Sequence, residues 1–214
     1  MKLSKDTVEI LSSFSKINQS ILITPGNELR VLSPHKTVLA SAHVNEVFIK
    51  QFGIYDIKEF LGALSLFEDY NINFMDTALV ITSNKNSIRY NYAHPDTFIH
   101  PTKKIEFDKW AYTIQLSDVE FKRLIKAALV LQSEDIMFVS EGEKLIIRAG
   151  SIKNSAANRY DIETNIDAPK LRLIFKLVNL QLLDGFYTIK LSTDGLALFE
   201  NTTKGAKYWI RAEG

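Results

Sequence analysis

The stretch Gln115-Leu116-Ser117-Asp118-Val119-Glu120-Phe121-Lys122-Arg123-Leu124-Ile125-Lys126 changes its hydrophobic period at the serine. Residues 112–116, just ahead of it, are strand-like. Beyond it the apolar residues fall at helical spacing, with Ser117 or Asp118 as the N-cap of a helix predicted to run to about Gln132. Phe121, Leu124, Ile125, Ala128 and Leu131 share one face, and Lys122, Arg123 and Lys126 cluster opposite. No acid occurs between Phe121 and Ser133. A solvated helix ordinarily mixes Glu with Lys at i, i+4. A helix that forgoes this on its outer face suits a polyanion, because each Lys or Arg near a phosphate releases condensed counterions. Any one of these lysines taken alone would also fit a plain solvated face.

Outward from this stretch, the second half continues with strands predicted at 136–140, 144–149 and 159–164, and Glu141-Gly142-Glu143 as a hairpin turn. A helix is predicted from about 169 to 183, and strands at 186–192, 196–200 and 206–210 close the chain. The first half follows the same order. A helix capped by Ser4 runs to about 17, strands lie at 21–23, 28–32 and 37–44, a helix at about 56–67, and strands at 72–75, 78–82 and 87–92. Two copies of one plan (helix, three strands, helix, three strands) predict an α+β protein of two tandem domains, 1–92 and 110–214, joined by a connector at 93–109 that holds Pro95 and Pro101.

The 214 residues suffice for two domains of about 100 residues, each with its own core. Hydrophobic residues at 46% and charged residues at 24% read as a soluble globular chain. No apolar run approaches the ~20 residues that span a bilayer, and the opening residues lack the apolar core of a signal peptide. The absence of cysteine agrees with a reducing cytoplasm, and it excludes disulfides and thiolate metal sites. With a net charge of only +1, any DNA contact must concentrate its positive charge on one surface.

In the helix at 169–183, Arg172, Lys176 and Asn179 align at i, i+4 and i+7, and no acid lies between Ala168 and Leu183. The first-half helices are weaker. Lys5, Ser12 and Lys16 form an outer stripe diluted by Glu9, and Lys58 faces out beside Glu59. Base-reading side chains are scarce on these faces, which suits backbone contact without sequence readout. Catalytic constellations are missing: His35, His43, His94 and His100 show no metal-ligand spacing, and there is no P-loop, GxGxxG or nucleophile elbow. The expectation is a protein with no catalytic residues, no metal and no cofactor. A carboxylate site assembled in space remains the enzyme alternative, and a non-ring adaptor of a replication or transcription complex the binding alternative.

The opening Met1-Lys2-Leu3-Ser4-Lys5-Asp6-Thr7, the stretch Gly53-Ile54-Tyr55-Asp56-Ile57-Lys58-Glu59-Phe60-Leu61-Gly62-Ala63-Leu64-Ser65-Leu66, and Gln115–Glu120 ahead of a basic helix resemble the sliding clamps of tailed phages. The chain stops at Arg211-Ala212-Glu213-Gly214, where the resemblance leads one to expect a short further tail. The resemblance implies two DNA-clamp domains, each with two helices on antiparallel sheets, three protomers per ring and helices lining the central hole. It implies that Lys5, Lys16, Lys58, Lys122, Arg123, Lys126, Arg172 and Lys176 face double-stranded DNA, independent of sequence. Implied partners are the replicative DNA polymerase, whose processivity the clamp raises, and an ATP-dependent loader that opens the ring. Late transcription is a further role, and the host cytoplasm the place of action. In the connector, Phe98, Ile105 and Trp110 are candidates for a polymerase-binding pocket, with Phe107 expected to pack the connector.

Overall fold

Ser4 and Ser117 open the two halves in the same way. In the computed structural model, which describes residues 1–152, 154 and 156–213, each serine is an N-cap in extended conformation, at φ −69°, ψ 158° and φ −68°, ψ 159°. Each hydroxyl accepts from the backbone N–H three residues on, which satisfies one donor the first helical turn leaves unpaired. The chain divides into two compact units, Met1–Lys104 and Ile105–Gly214. The division falls inside the predicted connector.

In the first unit, α1 (Lys5–Phe14) buries Ile10, Leu11 and Phe14. It is followed by β1 (Ile21–Ile23), β2 (Gly26–Leu32), β3 (Val38–Phe48) and β4 (Phe52–Ile54). β1 pairs antiparallel with β4, and β2 with β3. Next, α2 (Ile57–Ser65), N-capped by Asp56, packs against α1 and buries Ile57, Phe60 and Leu64. The meander β5 (Asn71–Phe74), β6 (Ala78–Ser83) and β7 (Asn86–Asn91) completes the unit. Met1 exchanges two main-chain hydrogen bonds with Ile72, 2.9 and 2.7 Å, so the residues ahead of α1 lie beside β5.

The second unit repeats this. β8 (Tyr112–Leu116) precedes α3 (Asp118–Val130) and pairs with β13 (Tyr187–Leu191), as Met1 pairs with β5. The order β11 (Tyr160–Asp167), β10 (Lys144–Ala149), β9 (Asp135–Glu141), β12 (Arg172–Lys176) makes one antiparallel sheet. β13, β14 (Leu196–Asn201) and β15 (Lys207–Arg211) form the closing meander. Phe138, Phe175, Phe199 and Tyr187 fill the core with edge-on rings 5.6 to 6.3 Å apart, and each such contact adds about 1 kcal/mol beyond the area it buries.

Helices on antiparallel sheets are the α+β clamp architecture expected, with one correction. The predicted helix at 169–183 does not form. Residues 172–176 are β12, and residues 177–180 make a single 3-10 turn. The stretch Arg172-Leu173-Ile174-Phe175-Lys176 carries two periods at once, and Arg172 and Lys176 fit a helix stripe only if the alternation of Leu173 and Phe175 is ignored. Pairing with β9 in a register of Arg172 to Val139 and Lys176 to Asp135 decides it, burying Leu173 and Phe175. Lys170, at φ 65°, sits where a right-handed helix would have to start. Among the described residues the second unit therefore has one α-helix, not two.

Candidate nucleic-acid interface

α3 positions its cations from both ends. At its N-terminus, Glu120 completes a capping box, returning its carboxylate to the Ser117 N–H at 2.9 Å. At its C-terminus, Gln132 turns left-handed at φ 53° and the Ser133 N–H donates to the Ala128 carbonyl at 2.8 Å. Phe121, Leu124 and Ala128 anchor the inner face. The opposite face presents Lys122, Arg123 and Lys126, all exposed.

These three cations are not equivalent. Lys122 Nζ lies 2.8 Å from Asp118 and 3.1 Å from Asp184, and the hydrogen bonds to these carboxylates raise its pKa. Asp118 also accepts from the Gly185 N–H at 2.8 Å, so Lys122 belongs to a clamp between α3 and residues 184–185. Arg123 and Lys126 have no ion pair among the described residues. Lys5 on α1, Lys16 just beyond it and Lys58 on α2 are likewise exposed and without an ion pair among the described residues.

Arg172 and Lys176 are placed otherwise than expected. On β12, Lys176 reaches the buried Asp135 at 2.8 Å, which raises the lysine's pKa. Arg172 is exposed on the strand's outer face.

The candidate partner residues also separate. The Phe98 ring lies against Gly53, where an added Cβ would stand 3.1 Å from it and 2.4 Å from the Ala93 carbonyl oxygen. It packs edge-on with His100 at 6.0 Å. Trp110 packs edge-on with Phe107 at 4.8 Å, and Ile105 is exposed. Sequence reasoning missed a groove of about 520 Å³ lined by Ile125, Leu129, Leu177, Val178 and Leu180. The exposed Leu129 and Val178 that line it were its signal in the sequence.

Among the described residues no group of three or more His, Asp or Glu side chains could hold a metal ion. Among the described residues no helix is long and apolar enough to cross a membrane. What the fold presents is a pair of helix-on-sheet units with outward cations and little base-reading chemistry, the form of a DNA clamp.

Comparison with known proteins agrees. The family described as DNA polymerase processivity factor matches residues 4–100. The sliding clamp of Enterobacteria phage T4 is 28% identical, with 100% of this chain and 97% of that protein covered. The sliding clamp of Vibrio phage KVP40 is 24% identical over 100% of this chain and 99% of its own. Among solved structures, PCNA from Thermococcus kodakaraensis superposes with a TM-score of 0.72 at 16% identity, covering 98% of this chain and 96% of its own. A putative DNA polymerase III beta subunit from Eubacterium rectale gives 0.68 at 16% identity, covering 98% of this chain and 63% of its own. Together these likenesses support a phage sliding clamp, a DNA polymerase processivity factor, as the reading of the chain.

Proposed function

We propose that three copies of the chain close head to tail around duplex DNA and hold the polymerase on it by topology rather than by grip. Three two-domain chains supply six domains, and a heterologous interface that closes by rotation gives a ring. The observation that carries the reading is α3. A chain of net charge +1 leaves Arg123 and Lys126 exposed and unpaired on one capped, rigid helix. Few, exchangeable phosphate contacts keep sliding barriers low, whereas base contacts would stall the ring.

Two free strand edges fit such an interface. Among the described residues β7 pairs only with β6, and β11 only with β10. Residues 85–91 carry Lys85 and Arg89 and no acid, while β11 carries Glu163, the acid on that strand with no ion pair among the described residues, Asp161 and Asp167 being held by Arg148, Arg159 and Lys144. Unpaired edges of opposite charge and similar length pair readily. On this reading β7 of one protomer adds to β11 of the next. An ATP-driven loader would open that junction, a polymerase segment would dock on apolar side chains of the second unit such as Ile105 and Trp110, and the chain itself would catalyse nothing. It would act in the host cytoplasm, with support of late transcription as a further role.

Mass measurement in solution at micromolar concentration tests the ring. A trimer is expected, and a strict monomer at every concentration would return the chain to the adaptor reading. Reversing Arg89 to Glu is expected to weaken the trimer, and combining it with Glu163→Lys to restore it.

A further inference from the structure

Arg172, removed from any helix by the fold, lines a cavity of about 250 Å³ on the outer face of the β9–β12 sheet. Two more guanidiniums share that cavity, those of Arg148 and Arg159. Both are already matched. Arg148 holds Asp161 with two nitrogens at 2.7 and 2.8 Å and Glu141 at 3.0 Å, and Arg159 stands 3.3 Å from Asp161 and 3.8 Å from Glu141. Two arginines and two carboxylates thus close a neutral four-membered network. The Arg172 side chain has no ion pair or hydrogen bond among the described residues. Among the described residues its charge is the unmatched one at the cavity, beside a floor that includes Met137, Val139 and Ala157.

We propose that this cavity is a docking site for an acidic residue of a protein partner, its carboxylate held by Arg172 and a neighbouring apolar group resting on Met137 and Val139. The charge count selects the ligand. One free planar guanidinium matches one carboxylate in a two-pronged contact. A nucleic-acid backbone would instead call for a row of free cations, and among the described residues two of the three guanidiniums here are spent. The volume falls below the roughly 300–1,000 Å³ of sites for whole small molecules, so the cavity takes part of a larger partner. The neutral network gives the site rigid walls, with Arg148 half-buried and fixed by Asp161 from the adjacent strand.

The test is an NMR titration of the full-length, isotope-labelled chain with N-acetyl-glutamate N-methylamide, a monoanionic probe. Saturable shifts are expected at the Gly150 N–H and the Arg148 Nε–H, with a dissociation constant of about a millimolar. Arg172→Gln should weaken binding about tenfold and Arg172→Lys less, because lysine keeps the charge but not the fork. The shifts of the remaining amides report whether each variant stays folded. Equal shifts from the neutral glutamine analogue, undiminished binding by Arg172→Gln, or equal occupancy by inorganic phosphate would each overturn the proposal. So would duplex DNA moving the same resonances at lower concentration, which would make Arg172 a phosphate contact.

Discussion

Two cations one residue apart have different duties. Lys122 is held by Asp118 and Asp184, whereas Arg123 beside it is unpaired. Each phosphate contact adds about 0.9 to the slope of log K against log salt. Arg123→Ala and Lys126→Ala are therefore each expected to reduce that slope by about one in a DNA-binding titration. Lys176→Ala should leave the slope unchanged and lower stability instead, because it strands Asp135, whose side chain is only 10% exposed. An equal loss of slope from Lys176→Ala would put that lysine back at the DNA.

Glu46 offers a pH signature. Its carboxylate accepts from the Ser4 N–H and the Thr7 hydroxyl at the start of α1. Burial disfavours its ionised form, but the hydrogen bonds from Thr7 and Ser4 outweigh this and hold its pKa below the ordinary 4.5. A carboxylate with a depressed folded-state pKa stabilises the fold above its unfolded value, and the effect is lost as pH falls through the folded value. Urea unfolding of the wild type should thus show a fall below about pH 4.5 that Glu46→Gln lessens. An identical profile in the variant would show that Glu46 does not anchor α1.

At the scale of elements, the two halves solve one problem with different parts. α3 carries its own capping glutamate, while α1 borrows Glu46 from β3. Ser117→Ala should cost about 1 kcal/mol, read as a lower denaturation midpoint. The close approach of β4 to residue 93 depends on glycine. Gly53→Ala would set a Cβ 2.4 Å from the Ala93 carbonyl oxygen, so a fall in thermal midpoint is expected on heating. The element lost from the expected plan, the helix at 169–183, shows how a sequence can support two periods. Lys176 is four residues from Arg172 and two from Ile174, so the same charges mark a helix stripe and a strand face.

For the whole molecule, sliding requires that binding be weak wherever it is not topological. A near-neutral chain with a few unpaired cations on helix faces, Arg123 and Lys126 among them, meets that requirement better than a uniformly basic one. Substituting Arg123 and Lys126 together should lower polymerase processivity while the oligomer mass stays unchanged, since neither residue lies on the β7 or β11 edge. Unchanged processivity would remove α3 from the DNA-facing surface.

The capped helices, the closing meanders and the basic face of α3 were legible in the sequence, because local periodicity and capping chemistry set them, whereas the expected repeat fails at 169–183, where a strand and a 3-10 turn replace its second helix. Residues 112–130 needed nothing from elsewhere in the chain to declare a strand, a cap and a helix. Only tertiary structure decided the rest. Pairing with β9 made a strand of 172–176 and moved Arg172 off the helix face. Asp184 and Asp135, distant in sequence from Lys122 and Lys176, joined the i, i+4 partner Asp118 in determining which cations remain free. Ion pairing across a fold leaves no period in the chain, so which lysines are available to DNA is a property of the folded molecule.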